Sequence, residues 1–255
     1  MSDPLPLPGA LSSWMNASGF LGFTPPASSI LTDRAGAFVT PAISKTPRSP
    51  ARDRGLLEFP GGFLLHTGYP NEGFTKIIKQ YAKKWSTLKV PVWPHLIARN
   101  GYECSQMVRA LETLENIGAI EVSLPADAET SFVEEILQAA LGELPLYISV
   151  PFLAAWQNWL DLFRLYTVSG IVLSAPRGDL ILDDTIVSGR LYGPSLFPQL
   201  LEKIAAYQGC GIPLVAGSGI FSIEQGTMAL QAGASAVQLD ACLWQLSAPT
   251  SPSKS

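Results

Sequence analysis

Short runs of β-branched and aliphatic residues alternate along this chain with longer stretches in which apolar positions recur every three or four residues. The short runs read as strands ending near Gly19, Thr40, His95, Leu124, Val150, Leu173, Gly217 and Leu239. The stretches 74–85, 102–117, 131–141, 153–166, 195–207 and 223–232 carry an apolar stripe at helical spacing. Alternation of the two patterns is the signature of βαβ units and a parallel sheet. Eight such strands favour closure into a (β/α)8 TIM barrel over an open sheet, so the expected fold class is α/β with a single domain. Gly209, Gly211 and Pro213 punctuate the entry to the seventh strand, and Gly233 offers a left-handed residue to end the helix before the eighth.

The pattern fails from Thr40 to Gly73, where Pro and Gly recur among four basic residues, Lys45, Arg48, Arg52 and Arg54. A long structureless loop is expected over 41–73, and loops that follow barrel strands surround the active site. The barrel proper is expected over 11–247. It is flanked by a Pro-rich segment, 1–10, and a Ser/Pro-rich segment, 248–255, which read as flexible tails.

With 255 residues, 47% of them hydrophobic, the chain can bury one large core. A net charge of -4 with 15% charged residues provides no basic face for a phosphate backbone. That argues against a nucleic-acid partner and for a small-molecule ligand. No basic leader precedes an apolar run, and no run approaches the roughly 20 residues of a membrane helix, so a cytoplasmic protein is expected. Cys104, Cys210 and Cys242 are odd in number and far apart, suggesting neither a disulfide framework nor zinc. His66 and His95, the two histidines of the sequence, are too few for a His-rich metal site, and no metal is expected.

The run Thr40-Pro41-Ala42-Ile43-Ser44-Lys45-Thr46-Pro47-Arg48 resembles the T-K-x-I/V-T/S-x-x-P-R segment of class 1 dihydroorotate dehydrogenases. Phe59-Pro60-Gly61-Gly62-Phe63-Leu64-Leu65-His66-Thr67-Gly68-Tyr69-Pro70-Asn71-Glu72-Gly73 is similar to their P-G-G-x-L-N-x-x-G-L-x-N-x-G substrate loop. Gly189-Arg190-Leu191-Tyr192-Gly193-Pro194 resembles a G-G-L-S-G-P turn, while 212–220 and 233–239 resemble the strands that hold a flavin phosphate. The four segments follow one another in the right order along nearly the whole chain.

The resemblance implies flavin mononucleotide across the strand ends, its phosphate on backbone amides, with orotate stacked against it. The implied cofactor-binding positions are Ala17, Ser18, Gly19, Gly189, Gly193, Gly217, Ser218 and Gly219; those for substrate are Gly68 and Asn71. Relatives of this class also suggest a homodimer, and a non-catalytic member of the family is the alternative that would serve as a subunit of a larger assembly.

The departures bear on chemistry. Pro41 stands where a flavin-contacting lysine belongs, Ser149 where the lysine near the flavin ring belongs, and Leu65 and Ala175 where substrate-binding asparagines belong. Ser123-Leu124-Pro125-Ala126-Asp127-Ala128 provides no cysteine base, and a positioned base is worth 10²- to 10⁴-fold. Asp240-Ala241 replaces a Gly-Thr pair, setting a carboxylate against the phosphate position.

For Gly217 to Gly219 a working phosphate site competes with a tight turn needed for packing alone. His66, Asp127 and Glu129 are the candidate replacement acid-base groups. The alternatives are a loop histidine and, with Glu129, a helix-capping segment; His95 is weighed against a hydrogen-bonded packing role. Cys242 and most of the tryptophans read as packing residues.

The resulting expectation is a dihydroorotate dehydrogenase-like flavin oxidoreductase of altered substrate. A non-catalytic, flavin-free barrel that binds a partner is the alternative, and orthodox dihydroorotate oxidation ranks last.

Overall fold

The computed structural model describes residues 7–26, 35–51 and 55–246. The chain runs β1 (Trp14–Asn16), β2 (Phe38–Ser44), β3 (Leu56–Phe59), β4 (Gly62–Leu65), α1 (Phe74–Trp85), β5 (Val92–Ile97), α2 (Gly101–Leu111), β6 (Ile120–Ser123), α3 (Thr130–Ala140) and β7 (Leu146–Pro151). It continues through α4 (Leu160–Leu165), β8 (Gly170–Ser174), β9 (Arg177–Leu182), β10 (Thr185–Tyr192), α5 (Phe197–Tyr207), β11 (Leu214–Ala216), α6 (Ile223–Gln231), β12 (Ala236–Leu239) and α7 (Cys242–Leu246). Eight parallel strands in the order β1-β12-β11-β8-β7-β6-β5-β2 form a nearly closed barrel.

Closure between β1 and β2 rests on a side chain as well as on backbone. Ala37 bridges Met15, and the Asn16 amide substitutes for a peptide group: Oδ1 accepts from Val39 N at 3.0 Å while Nδ2 donates to Val39 O at 2.6 Å. The barrel floor is closed by residues expected to belong to the tail. Leu7 is 5% exposed, Pro8 O accepts from the Tyr147 hydroxyl at 2.8 Å, and Gly9 O accepts from Trp93 Nε1 at 2.7 Å. Trp93 and Tyr147 stack at 4.1 Å inside the lower barrel, so Trp93 packs the floor. Residues 1–6 and 248–255 of the expected tails, and Arg52 and Arg54, lie outside the described residues.

The expected structureless loop is corrected. β2 continues through Pro41 to Ser44, and β3 and β4 form a hairpin that pairs with β10 and β9 in a second, antiparallel sheet of order β3-β4-β10-β9. Each strand is short, and the partner of β4 lies more than a hundred residues downstream, with Leu65 opposite Arg190. No local pattern reports such a pairing. The β9–β10 hairpin carried a readable signal. Asp183 and Asp184 sit at positive φ (48° and 60°) between two runs of alternating residues, as a two-residue hairpin turn requires.

The helical stretch expected over 102–117 ends at Leu111. Asn116, at φ 62°, turns the chain toward β6, and its Nδ2 donates to the carbonyls of Trp85, Leu88 and Val90.

Candidate functional site

The C-terminal strand ends and the antiparallel sheet above them enclose two spaces. An outer cleft of about 380 Å³ falls within the range of small-molecule sites. An inner chamber of about 30 Å³ has room for one or two waters. Tyr69 and Arg190 line both and form the partition between them. The Arg190 guanidinium lies 4.2 Å from the Tyr69 ring centre, a cation–π contact, and the same ring stacks over His95 at 6.4 Å. Tyr69 takes φ 54°, a left-handed backbone that an aromatic residue adopts only when its surroundings impose it.

Beneath this partition sits a polar cluster. β5 and β6 pair with His95 directly opposite Glu121, and Ser123 lies two residues further along β6, hence on the same side. His95 Nε2 is 2.8 Å from Ser123 Oγ, and His95 Nδ1 is 2.8 Å from Glu121 Oε1. Gln238 Nε2 donates to the other carboxylate oxygen of Glu121 at 2.8 Å.

Burial would raise the Glu121 carboxyl. The adjacent His95 ring and the hydrogen bond from Gln238 outweigh it and hold the group below the usual range. Pro41 interrupts the β2–β5 ladder with a bulge between Val39 and Ala42, and the Thr40 hydroxyl fills the gap by accepting from His95 N at 3.1 Å. The proline that replaces the expected lysine therefore helps to seat His95.

The other half of the mouth is an anion cradle turned inward. Asp240 is 0% exposed. Its carboxylate accepts from Gly219 N at 3.0 Å, Ala241 N at 2.6 Å and the Ser218 hydroxyl at 3.4 Å. These donors come from the turns after β11 and β12, where a barrel phosphate would be held. Burial pushes Asp240 up to about 7 despite the hydrogen bonds that pull it down.

The residues present do not fit a flavin mononucleotide in this arrangement. The amides of Gly219 and Ala241 are already paired, and the chamber beside them is an order of magnitude smaller than a typical ligand site. Phe20, Phe63, Tyr192 and Trp244 pack together at 5.0–6.0 Å beside this chamber, which Phe20 and Tyr192 line.

The positions expected from the sequence fall into separate places. Ala17 and Ser18 line the inner chamber, and Ser18 Oγ is buried without a hydrogen-bond partner; Gly19 turns at φ 89°. Gly217 also lines the chamber, but its N–H donates to Leu173 O within the barrel. Gly189 and Gly193 serve packing of the antiparallel sheet, since an added Cβ would meet Leu64 at 2.4 Å and Gly61 O at 2.3 Å respectively.

Gly68 lines the outer cleft at φ 71°, its carbonyl accepting from Arg48 Nε at 3.0 Å. Asn71 spends its amide internally: Oδ1 accepts from Gly73 N and Ser44 N, and Nδ2 donates to Tyr69 O and Ser44 Oγ. It pins the substrate-like loop. His66 lines the outer cleft and donates from Nδ1 to Ser188 O, whereas Asp127 is exposed in a turn outside both spaces. Burial pushes the Cys242 thiol up to about 12, which removes it as a nucleophile at neutral pH.

Glu121 and Gln238 were missed by the sequence reading, although both stand at inward-facing positions of strands it recognised. Among the described residues no group of three or more His, Cys, Asp or Glu could hold a metal ion, and no helix is long and apolar enough to cross a membrane.

Fold and site together define a single (β/α)8 barrel with a polar mouth roofed by an antiparallel sheet. The chain is similar to dihydroorotate dehydrogenases over about nine-tenths of its length. A dihydroorotate dehydrogenase (fumarate) of Trypanosoma cruzi is 24% identical over 90% of this chain and 83% of its own. A dihydroorotate dehydrogenase B (NAD(+)) catalytic subunit of Geotalea daltonii is 24% identical over 88% and 81%. A dihydroorotate dehydrogenase A (fumarate) of Limosilactobacillus reuteri is 27% identical over the same shares. No family model matches the chain.

Proposed function

We propose that the protein is a dihydroorotate dehydrogenase-like barrel that works without bound flavin, its outer cleft taking a small anionic molecule. The observation that carries this reading is Asp240, whose buried carboxylate takes the amides on which a phosphate would rest. A second anion there would compete for the same amides and, above about pH 7, would meet like charge at contact distance in a poorly screened interior. The outer cleft supports the anionic ligand: Arg48, Arg177 and Arg190 line it, and among the described residues no carboxylate does.

The competing reading is a flavin-dependent oxidoreductase of altered substrate. It draws on the relatives' names and on the glycine turn at Gly217 to Gly219. An absorbance spectrum of the purified protein, with and without added flavin mononucleotide and after dialysis, separates the two. A colourless protein that retains no flavin is expected, and visible flavin bands surviving dialysis would overturn the proposal.

Cytoplasmic residence belongs to the same proposal, supported by three free cysteines. A homodimer or assembly subunit is proposed as well. Ile181 and Ile186 face each other across the β9–β10 hairpin at 78% and 67% exposure, and a relative carries the name of a catalytic subunit. Light scattering on the purified protein tests that part.

A further inference from the structure

We propose that Ser123, His95 and Glu121 form a hydrolytic relay at the barrel mouth, Ser123 acting as nucleophile toward small esters that carry a negative charge. The inference goes beyond the flavin-free reading: its catalytic residues are different, and its anionic preference rests on that reading's cleft arginines. The two contacts of the relay are each 2.8 Å, and they use the two ring nitrogens in the order that nucleophile activation requires: Nε2 toward the hydroxyl, Nδ1 toward the carboxylate. Such a constellation is recognised by geometry and roles, and it recurs on unrelated folds.

Its members stand on adjacent strands rather than on loops, which holds them to the tolerance that catalysis needs. Glu121 is further held by Gln238, His95 by Thr40, and the His95 ring is covered by Tyr69. His95 and Glu121 are 3% and 1% exposed, shielded from water, while Ser123 reaches the wall of the 380 Å³ outer cleft. The nucleophile is thus accessible, its base lies directly behind it with Nε2 toward the Ser123 oxygen, and the orienting carboxylate is buried. Arg190 lines both spaces and is the cation available to a developing oxyanion, and with Arg48 and Arg177 it sets the preference for anionic esters.

The chemistry balances with water as co-reactant. The Ser123 hydroxyl adds to the ester carbonyl carbon while its proton passes to His95 Nε2. The carbon–oxygen bond to the alcohol then breaks, the alcohol leaving with that proton, and an acyl-serine remains. Water adds to the acyl carbon, giving a proton to Nε2, and the Ser123 oxygen departs with that proton as the carboxylic acid is released. Ser123 and His95 are the catalytic residues. Glu121 is a positioning residue that fixes the ring and balances its transient charge.

The test is labelling of the purified full-length chain with a fluorophosphonate, followed by peptide mass spectrometry, alongside turnover of the 4-nitrophenyl monoester of succinate and of 4-nitrophenyl acetate. Phosphonylation at Ser123 is expected. It should be absent in Ser123→Ala and slowed on the order of 10³-fold in His95→Gln, with the succinate ester preferred. Glu121→Gln should lower kcat on the order of 10³-fold with little change in KM, a split that loss of packing would not produce. No label at Ser123, or labelling of folded His95→Gln at the native rate, overturns the proposal. Circular dichroism of each variant establishes folding, and the Ser123→Ala comparison suffices should the Glu121 variant unfold.

Discussion

Replacing Asp240 with asparagine isolates the buried carboxylate that fills the anion cradle. Burial raises this group from 3.8 to about 7. Between those values the folded chain keeps a proton that the unfolded chain has released, so stability falls as pH rises through the interval and levels off above about 7. With those two values, linkage gives a loss of about 2.5 kcal/mol in unfolding free energy between roughly pH 5 and pH 8.

Glu103 and Glu121 are shifted downward, and their contributions have the opposite sign and act below about pH 4.5, outside this interval. Asparagine keeps an oxygen for the Gly219 amide but turns an NH₂ toward the Ala241 amide, which costs about 1–2 kcal/mol near pH 5. Near pH 8 the native chain carries a buried charge that the variant lacks, and the deficit should shrink or reverse. Urea unfolding of both proteins at the two pH values measures the difference. A variant with the native pH dependence would refute the reasoning, because the titrating group would then lie elsewhere.

Asp240→Gly should open the cradle and raise the affinity for inorganic phosphate on the order of tenfold or more, read as a thermal shift; equal shifts for variant and native protein would show that the amides are not free to accept an anion. Deleting residues 1–10 should destabilise the barrel by about 2–5 kcal/mol, because burial of Leu7 is lost and Trp93 Nε1 and the Tyr147 hydroxyl lose their acceptors; denaturant midpoints check this. Thr40→Val removes the acceptor for His95 N and should cost about 1–3 kcal/mol and slow fluorophosphonate labelling of Ser123, while native labelling would mean that the bulge at Pro41 does not seat His95.

Part of the candidate site was legible in the sequence. The turns at Gly217 to Gly219 and at Asp240 were recognised as the two halves of an anion cradle, and the like-charge conflict between Asp240 and a phosphate followed from the residue type alone. That the carboxylate itself would take the amides was not legible, because it depends on the approach of two turns some twenty residues apart. The same holds for His95, weighed as a single residue against packing, and for Glu121 and Ser123. Their relation is the register of β5 against β6, in which a slip of one residue would turn all the side chains of a strand to the opposite face. His66 and Asp127 drew attention because a titratable residue near a strand end is conspicuous one at a time. The structure sets Asp127 outside both spaces and ties His66 to a backbone carbonyl.

The sequence by itself determined the eight parallel strands and the helical stretches between them, because hydrophobic period is a local property and the βαβ alternation admits few closed arrangements. It also determined which polar groups were present for chemistry and which were missing. Only the tertiary structure decided that residues 56–65 and 177–192 would join into a roof, that Leu7 to Gly9 would plug the floor, and that Ser123, His95 and Glu121 would meet beneath Tyr69. The physical reason is the same in each case. These contacts join residues far apart in the chain, and their partners are chosen by strand register and by the satisfaction of buried polar groups, neither of which leaves a periodic trace in the sequence.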